Sequence, residues 1–421
     1  MDNSADPPRT VLDVAVCRLE LLAVSEGFIA AQADAVPDVR VVYVGLRRVP
    51  GVALPPAQVR LAWVRTGHLH RFIEPILKLA VAAGRSRGLT SAVRRADPDV
   101  IHVHFGPDAA ILLPTIRRLP HVPLVVTFHG YDTMPPDSYH TSAVGRLWLR
   151  RRTDVFRHAT TLIAVSDAVR QRLLEVGAPE TKLVRHYIGV DVAPVSQPES
   201  SALDRAEHVE ARILFVGRLA EVKGVADLLS AMALLHSRKV AAQLTVIGDG
   251  PLRSALHELA QCLGLPVRWL GALPKVEVAT EMEVATVLCA PSRITAAGQR
   301  EAFGLVIAEA QAHGLPVVAY RSGGTGEAIK DGVGGLLVDE GDVTGLADAL
   351  QRVLTEPRLR AHLSAAGRAD VRLRFDMQRQ SAALGEIYRR AISAASQPAD
   401  ADGATGRATT RRRGRGAAPG R

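Results

Sequence analysis

Short apolar runs rich in β-branched residues alternate with longer helical stretches along most of the chain, and this alternation restricts the fold more than any other feature. Five runs lie in the first half and five in the second: 11–19, 39–46, 100–105, 124–130, 161–166, 212–219, 243–250, 267–273, 286–292 and 315–320. The runs are continuously apolar, which is typical of strands buried on both faces of a parallel sheet. The helical stretches would supply the crossovers. The sequence therefore predicts an α/β protein with two doubly wound, Rossmann-like domains.

Changes in composition place the boundaries between these units. Residues 192–210 are polar and contain two prolines, so they predict an interdomain linker between a domain at 1–191 and a second at 211–377. A helix is predicted at 378–395. Residues 396–421 hold six arginines and two aspartates without apolar periodicity, and they predict a disordered basic tail. The tail carries much of the net charge of +9, so the body is only mildly basic.

The cysteines and the N-terminal residues bear on the compartment. Cys17, Cys262 and Cys289 lie far apart and match neither a disulfide framework nor metal-ligand spacing, which fits a reducing environment. The first residues are polar and acidic, unlike a secretory signal. No apolar run reaches the roughly 18–20 residues that cross a bilayer. We therefore expect a cytoplasmic protein.

Two glutamates flank the start of a predicted helix after the run at 286–292. Glu301 lies in the loop, Gly304 allows close approach, and Glu309 lies about one and a half turns into the helix. A helix N-terminus presents unpaired backbone N–H groups and suits a phosphate. Carboxylates accept hydrogen bonds from sugar and ribose hydroxyls. The pattern is compatible with a nucleotide sugar, and on spacing alone it is equally compatible with two solvated carboxylates.

Three further residues follow predicted strands, where ligands of doubly wound domains bind. Arg218 and Lys223 lie at a strand-to-helix turn and are suited to a diphosphate, although exposed loop cations are common. His129 ends a strand of the first domain, and its imidazole either faces the cleft or is structural. His102 and His104 alternate within one strand, so at least one of them is expected in the core.

Taken together, these stretches resemble the retaining nucleotide-sugar glycosyltransferases of family 4, which have the GT-B fold. The most specific part is E-A-F-G-L-V-I-A-E-A at 301–310, similar to the family's E-x7-E signature, followed by a glycine-rich stretch at 313–338. The motifs V-G-R-L-x-x-x-K-G (216–224), I-G-D-G-P (247–251) and H-x-x-G-V-D (186–191) occur in the expected order. In the first domain, S-E-G-F-I (25–29) and T-F-H-G-Y-D (127–132) look like elements of members that act on exopolysaccharide or lipid-linked oligosaccharide.

The resemblance implies a role for each matching residue on the donor side. Arg218 and Lys223 would hold the diphosphate, and Glu309 would bind the ribose hydroxyls. Glu301 would orient the donor sugar, and His129 would face the reacting sugar from the first domain. Phe303, Gly304 and Leu305 would present the helix N-terminus to the phosphates. The first domain would bind the acceptor and the second the donor.

On the acceptor side the resemblance points to Ser25, Glu26, Tyr131 and Asp132. This side departs from the family pattern, because no Gly-Gly loop follows the first strand and Gly27 stands where threonine is expected. The implied activity is transfer of a sugar from a UDP- or GDP-sugar to a saccharide or lipid-linked acceptor, with retention. No metal or other cofactor is expected, because the two cations would stabilise the leaving diphosphate and no D-x-D element follows a strand.

Other functions are also compatible with parts of the sequence. A phosphorylase or a sugar-nucleotide epimerase with the same fold would share the anion site. A two-carboxylate glycoside hydrolase would need Glu301 and Glu309 to face each other across a glycosidic bond. A basic module that binds nucleic acid or membrane would use the tail and residues 145–159, where arginines interleave with apolar residues. We expect no nucleic-acid partner, and we treat 145–159 as a candidate helix at a membrane surface.

Overall fold

The computed structural model describes residues 11–62, 78–133, 142–192 and 211–396, and within them it contains two separate parallel sheets. The first has seven strands in the order β5-β3-β1-β6-β7-β8-β9. Its strands are β1 Leu12–Cys17, β3 Val39–Gly45, β5 Val59–Leu61, β6 Val100–His104, β7 Leu124–Phe128, β8 Thr161–Ala164 and β9 Leu183–Arg185. A two-stranded ribbon, β2 Glu20–Leu21 with β4 Arg47–Arg48, lies beside it.

The second sheet has six strands in the order β12-β11-β10-β13-β14-β15, again all parallel. Its strands are β10 Ala211–Val216, β11 Ala242–Ile247, β12 Val267–Gly271, β13 Val287–Ala290, β14 Val317–Tyr320 and β15 Gly335–Val338. All ten predicted strands are present. The prediction missed β5, β9, β15 and the ribbon, whose strands are only two to four residues long. The two doubly wound domains predicted from the sequence are confirmed.

Helices cover both faces of each sheet. Those before the second sheet are α1 Gly27–Asp34, α2 Arg87–Ala96, α3 Gly106–Ile116, α4 Ala143–His158 and α5 Asp167–Glu175, and residues 78–82 are also helical. Those that follow β10 are α6 Val225–Ser237, α7 Arg253–Cys262, α8 Lys275–Val284, α9 Leu305–Ala312, α10 Thr325–Ala328, α11 Val343–Thr355, α12 Pro357–Phe375 and α13 Met377–Ser396.

Each sheet is buried on both faces because its strands carry apolar residues at consecutive positions. In β1, Ala15 and Cys17 join one hydrophobic core, whereas Val14 and Val16 join another on the opposite face. A strand with only one buried face would need polar residues at every second position. This is the physical reason why continuous apolar runs predicted the parallel sheets correctly.

The chain crosses between the two domains twice, and the two crossings pair with each other. The backbone N–H of Val190 donates to the carbonyl of Phe375 at 2.8 Å, and the N–H of Met377 donates back to Val190 at 2.9 Å. Helix α13 then packs on the first domain, where Leu384 and Tyr388 are buried in the same core as α1. The helix predicted at 378–395 thus runs from Met377 to Ser396 and completes the first domain.

Most of the predicted linker and the basic tail lie outside the described residues. Residues 193–210 of the linker and 397–421 of the tail are in this group. Among the described residues, none of the helices combines the length and the apolar character needed to cross a membrane.

Candidate functional site

The order of strands reverses at one point in each sheet, and such a point is where ligands of this fold class bind. In the first sheet β1 lies between β3 and β6, and in the second β10 lies between β11 and β13. The segments after β1 and β10, together with those after β7 and β13, contain the predicted site residues. The topology therefore brings together, at the carboxyl edges of the sheets, residues that are far apart in sequence.

The two carboxyl edges face each other, and their loops are in contact. Gly130, after β7, lies so close to the loop before α9 that a Cβ added to it would stand 2.3 Å from the Cβ of Ala302. Its φ of +110° is also one that favours glycine. At a second contact, the Glu327 carboxylate of α10 accepts hydrogen bonds from the backbone N–H groups of Asp167 and Ala168, at 2.7 and 2.9 Å. Glu327 thereby caps the N-terminus of α5 from the other domain.

On the donor side, Glu301 and Lys223 form an ion pair that links two loops of the second domain. Glu301 also accepts a hydrogen bond from the Ser292 hydroxyl at 3.1 Å, and its carbonyl accepts from the N–H of Gly324 at 2.9 Å. Burial alone would raise the pKa of Glu301, but the Lys223 ammonium and the hydrogen bonds from Lys223 and Ser292 outweigh it and lower the pKa. Glu301 is therefore a fixed carboxylate and not a solvated loop residue.

Helix α9 begins directly beside this ion pair. Gly304 precedes the helix with a φ of +85°, and no side chain of the described residues caps the first N–H groups. The first N–H groups of a helix have no acceptor within the helix, so this end attracts an anion. Phe303 is buried between Tyr187 and Phe375, so its side chain anchors the loop in the core and only its backbone is available to a ligand.

Glu309 lies about one turn into α9. Its carboxylate makes no hydrogen bond or ion pair to any residue in the described ranges. Burial raises the pKa of Glu309, and the opposing effect of the Lys275 ammonium, which pairs with Asp191 at 3.0 Å, does not cancel the increase. A partly buried carboxylate without a partner is stabilised when a ligand donates hydroxyl groups to it.

Arg218 is exposed after β10, and within the described part of the chain its guanidinium makes no hydrogen bond or ion pair. The loop that carries it is tightly packed, because a Cβ on Gly248 would stand only 1.9 Å from the carbonyl oxygen of Gly217. The backbone of Arg218 is therefore fixed while its side chain is available. Lys223, five residues later, has three N–H donors and can hold Glu301 and a phosphate oxygen together.

His129 directly follows β7, is partly buried and forms a pair with His104 of β6. The distance from Nδ1 of His104 to Nε2 of His129 is 2.9 Å, so one ring donates to the other. The Nδ1 atom of His129 is shielded from solvent and has no hydrogen-bond partner among the described residues. Burial and the charge of Arg18 lower the pKa of His129, and burial likewise lowers that of His104, so both rings are neutral at pH 7. His102, by contrast, is a core residue held by Tyr388 at 2.8 Å and Thr127 at 2.7 Å.

The four predicted acceptor-side residues have different surroundings. Ser25 is exposed in a short turn, and Tyr131 is 42% exposed with its ring 4.8 Å from that of Phe105. Glu26 is partly buried and pairs with Arg18 at 2.5 Å. For Asp132 the prediction of direct contact with the acceptor needs correction, because this residue is 0% exposed and its carboxylate faces the protein interior.

The carboxylate of Asp132 instead holds the loop that carries His129. It accepts hydrogen bonds from the backbone N–H groups of Gly106, His129 and Gly130 at 2.9 to 3.1 Å. Burial raises its pKa to about 6, although these three donors favour the ionised form. Asp132 therefore acts on the site through the backbone, by fixing the turn after β7.

The predicted membrane helix at 145–159 also needs a correction. It forms α4, but its apolar face packs on α3 and on the end of β7, with Trp148, Val155 and Phe156 buried. Of its large apolar residues, only Leu149 is more than a third exposed, at 39%. The amphipathic pattern was correct, but the apolar face is covered by protein.

The first domain also contains a buried ion pair that was not predicted from the sequence. Arg18, directly after β1, donates to Asp108 of α3 at 2.5 Å and also holds Glu26. Its guanidinium lies 4.2 Å from the ring centre of Phe105. The pair lies directly after the first strand, where the family resemblance led us to expect a Gly-Gly loop. Asp108 and Arg18 are 90 residues apart, so only the fold brings them together.

Comparison with known proteins agrees with this geometry. Residues 29–194 match the family described as Glycosyltransferase Family 4, and residues 199–370 match Glycosyl transferases group 1. A GDP-mannose-dependent alpha-(1-6)-phosphatidylinositol monomannoside mannosyltransferase of Mycolicibacterium smegmatis is 31% identical over 69% of this chain and 76% of its own. A phosphatidyl-myo-inositol mannosyltransferase of the same organism is 30% identical over 80% and 82%. The chain belongs to glycosyltransferase family 4.

Solved structures show the same fold at lower identity. Sucrose-phosphate synthase from Thermosynechococcus elongatus aligns with a TM-score of 0.69 and 21% identity, over 90% of this chain and 99% of its own. Anabaena HepE in complex with UDP aligns with a TM-score of 0.65 and 18% identity, over 90% and 100%. The GT-B fold and the function of a nucleotide-sugar glycosyltransferase are thus confirmed, and the phosphorylase, epimerase and binding-module alternatives are not favoured.

The site geometry of this glycosyltransferase also argues against a pair of hydrolytic carboxylates. Glu301 is engaged by Lys223 and Ser292, and the N-terminus of α9 lies between it and Glu309. An anion site between two carboxylates suits a phosphate better than a neutral glycosidic bond. In the described ranges, no group of three or more His, Cys, Asp or Glu side chains is placed to hold a metal ion.

The Glu301–Lys223 pair makes a prediction about stability and pH. Lys223 lowers the pKa of Glu301 in the folded state. The pair therefore contributes its full stability above about pH 4.3, the usual pKa of a glutamate in the unfolded chain. This stability is lost as the pH falls through the lowered pKa of the folded state. Lys223→Met leaves the carboxylate without its cation, and we expect a loss of about 3 kcal/mol in the free energy of unfolding at pH 7.

The loss should shrink toward pH 4.5, because Glu301 of the variant can then take up a proton. Urea denaturation at both pH values measures it. The double variant Lys223→Met with Glu301→Gln should be more stable than Lys223→Met alone at pH 7, and Lys239→Met on the surface is the control. An equal loss at both pH values would show that Glu301 does not depend on Lys223.

The histidine pair predicts a positioning role for His104. His104→Phe removes the nitrogen that holds His129, and we expect kcat to fall by on the order of tenfold or more while the KM for the donor changes little. His104→Asn places a polar atom near the original Nδ1 and should recover most of the rate. Steady-state kinetics and thermal midpoints of both variants separate this role from a structural one. Equal kcat values for the Asn and Phe variants would exclude it.

Proposed function

We propose that this glycosyltransferase moves a hexose from UDP-hexose or GDP-hexose to a hydroxyl of a saccharide or lipid-linked acceptor, with retention of anomeric configuration. The observation that supports this best is the uncapped N-terminus of α9, which has the Glu301–Lys223 pair on one side and the unpartnered Glu309 on the other. This arrangement matches the anionic centre and hydroxyl-bearing ends of a nucleotide sugar. Retention follows from the family.

In this proposal the second domain binds the donor. Arg218 and Lys223 contact the diphosphate together with the N–H groups of Gly304 and Leu305 at the start of α9. Glu309 accepts hydrogen bonds from the two ribose hydroxyls, which gives its partly buried carboxylate the partners it lacks among the described residues. Glu301, held by Lys223 and Ser292, accepts from a hydroxyl of the hexose and sets its orientation.

Charge separation explains why these residues would accelerate the reaction. The bond from the anomeric carbon to the diphosphate breaks, so positive charge develops on the sugar and negative charge on the leaving group. Fixed cations and backbone N–H groups stabilise that leaving group more than they stabilise the bound donor. Arg218 and Lys223 supply this stabilisation without a metal ion. His129 is neutral, so it faces the sugar as a hydrogen-bonding group and not as a second cation.

On the acceptor side, Ser25, Glu26 and the exposed ring of Tyr131 form the surface offered to the acceptor. An exposed aromatic ring provides an apolar face and a polar tip, which suits a sugar ring with hydroxyls at its edge. The lipid-linked class of acceptor is supported by relatives whose names specify phosphatidylinositol-based acceptors. Because the apolar face of α4 is buried, association with the cytoplasmic face of a membrane would rely on charge.

UDP and GDP are the two candidate nucleotides of the donor. One relative is named as GDP-mannose-dependent, whereas HepE was solved with UDP. A location in the cytoplasm agrees with the three cysteines, which are all free thiols.

A transfer assay with variants tests the proposal. The full chain is incubated with UDP- or GDP-hexoses and with saccharide or lipid-linked acceptors, and products are identified by mass spectrometry. Arg218→Ala should lower the rate by about 100-fold, or roughly 3 kcal/mol in the activation free energy. Arg358→Ala, at an exposed arginine of α12, is the matched control and should retain full activity. Full activity in Arg218→Ala would exclude its role, and formation of a sugar phosphate or an epimer would exclude transfer.

A further inference from the structure

A groove with four arginines runs along the outer side of the first domain, away from the residues considered above. It encloses a cavity of about 420 Å³ between α2 and the end of α3. Its lining in the described part of the chain consists of Arg87, Thr90, Ser91, Arg94, Arg95 and Arg118, which we call the arginine groove. All six side chains are polar, and the volume lies within the range of small-molecule sites.

The spacing of these residues explains how the groove forms. Arg87, Ser91, Arg94 and Arg95 recur at intervals of three and four residues, so they share one face of α2. The opposite face, with Leu89, Ala92 and Val93, is buried in the core. Arg118, just beyond α3, closes the other side. The helix is thus strongly amphipathic, and its polar face is cationic.

Nothing in the described residues neutralises these four charges. None of the four arginines takes part in an ion pair there, and the one internal hydrogen bond of the lining arginines runs from Arg95 to the Ser91 hydroxyl at 2.5 Å. The neighbouring Arg117 does find a carboxylate, Asp154, at 3.6 Å. An anion bound in the groove would supply the counter-charge that these guanidinium groups lack there.

The groove lies on the side of the sheet opposite the anion site of the cleft. Helix α2 ends just before the start of β6, and α3 ends before the start of β7, so Arg94, Arg95 and Arg118 lie at the amino edge of the first sheet. The candidate donor site lies at the carboxyl edges. A ligand in the groove would therefore not compete with a nucleotide in the cleft.

We propose that the arginine groove is a second anion site, separate from the cleft, that binds the phosphate groups of a ligand. Guanidinium groups pair with phosphate oxygens through two parallel N–H donors, and the Ser91 hydroxyl adds a further donor. The polar lining gives an acyl chain no contact, so the ligand is either the headgroup of an anionic lipid or a soluble compound with more than one phosphate. This proposal does not depend on the proposed transferase activity.

Two binding measurements on the full chain test it and distinguish the two sources. The first is calorimetric titration of pyrophosphate into a chain with Arg218→Ala, which weakens the cleft site. The second is co-sedimentation with phosphatidylglycerol vesicles, compared with phosphatidylcholine vesicles. Each is repeated with Arg94→Gln and Arg118→Gln together. The control is Arg358→Gln with Arg390→Gln, which removes the same charge from exposed positions on α12 and α13, and all variants keep the basic tail.

We expect the groove variant to bind one of the two probes at least about tenfold more weakly, because two charge-assisted contacts to the phosphate groups are lost. The control variant should bind like the native groove. Loss of pyrophosphate binding would identify a soluble phosphate, and loss of vesicle binding alone would identify a lipid headgroup. Equal weakening in the two variants, or no binding of either probe, would overturn the proposal. Matching thermal midpoints would show that the exposed substitutions leave the fold intact.

Discussion

The ion pair between Glu301 and Lys223 fixes the centre of the site on the second domain. It joins the loop after β10 to the loop before α9, and Ser292 after β13 adds a third attachment. Because the pair is largely shielded from water, losing either partner would leave a charge that is costly to bury. The position of Gly304 and the exposed N-terminus of α9 depend on these loops. One electrostatic contact thus holds both the carboxylate and the anion site in place.

The first domain reaches this site through backbone contacts. Asp132 fixes the turn after β7, so that Gly130 meets Ala302 and His129 lies against His104. The cap that Glu327 places on α5 and the paired chain crossings at Val190 hold the domains in this relation. Helix α13, which leaves the second domain to pack on the first, adds a hydrophobic attachment. The cleft is therefore bordered by both domains, as transfer between two substrates requires.

Much of this architecture could be predicted because its signals are local. Continuous apolar runs specify parallel strands wherever they occur, and all ten predicted strands formed. Strands such as Val59–Leu61 were missed because three residues are too few for a pattern. The motif from Glu301 to Ala310 predicted the helix and its N-terminus correctly. Its partner Lys223 lies 78 residues away, and their ion pair depends on the packing of loops that no spacing rule describes.

The failures have physical causes of the same kind. Asp132 lies in a short polar motif that does not distinguish a carboxylate facing a ligand from one that binds its own backbone. Helix α4 has an amphipathic pattern that is identical whether its apolar face meets a sheet or a membrane. The partnership of His104 with His129 required β6 and β7 to be neighbours, with His104 paired to Thr127 in register. In each case the sequence identifies the residue type, whereas the neighbours of that residue are known only from the fold.

Thermal shift with UDP, GDP and ADP tests most directly whether the cleft binds a nucleoside diphosphate. A ligand that binds only the folded state stabilises it by about 2.7 kcal/mol at a hundredfold excess over its Kd. We expect a clear shift with one of the three nucleotides, little shift with the corresponding nucleoside, and loss of the shift in Glu309→Gln. If the well-folded protein shows no shift with any of them, or if Glu309→Gln shifts like the native chain, this account of the cleft is contradicted.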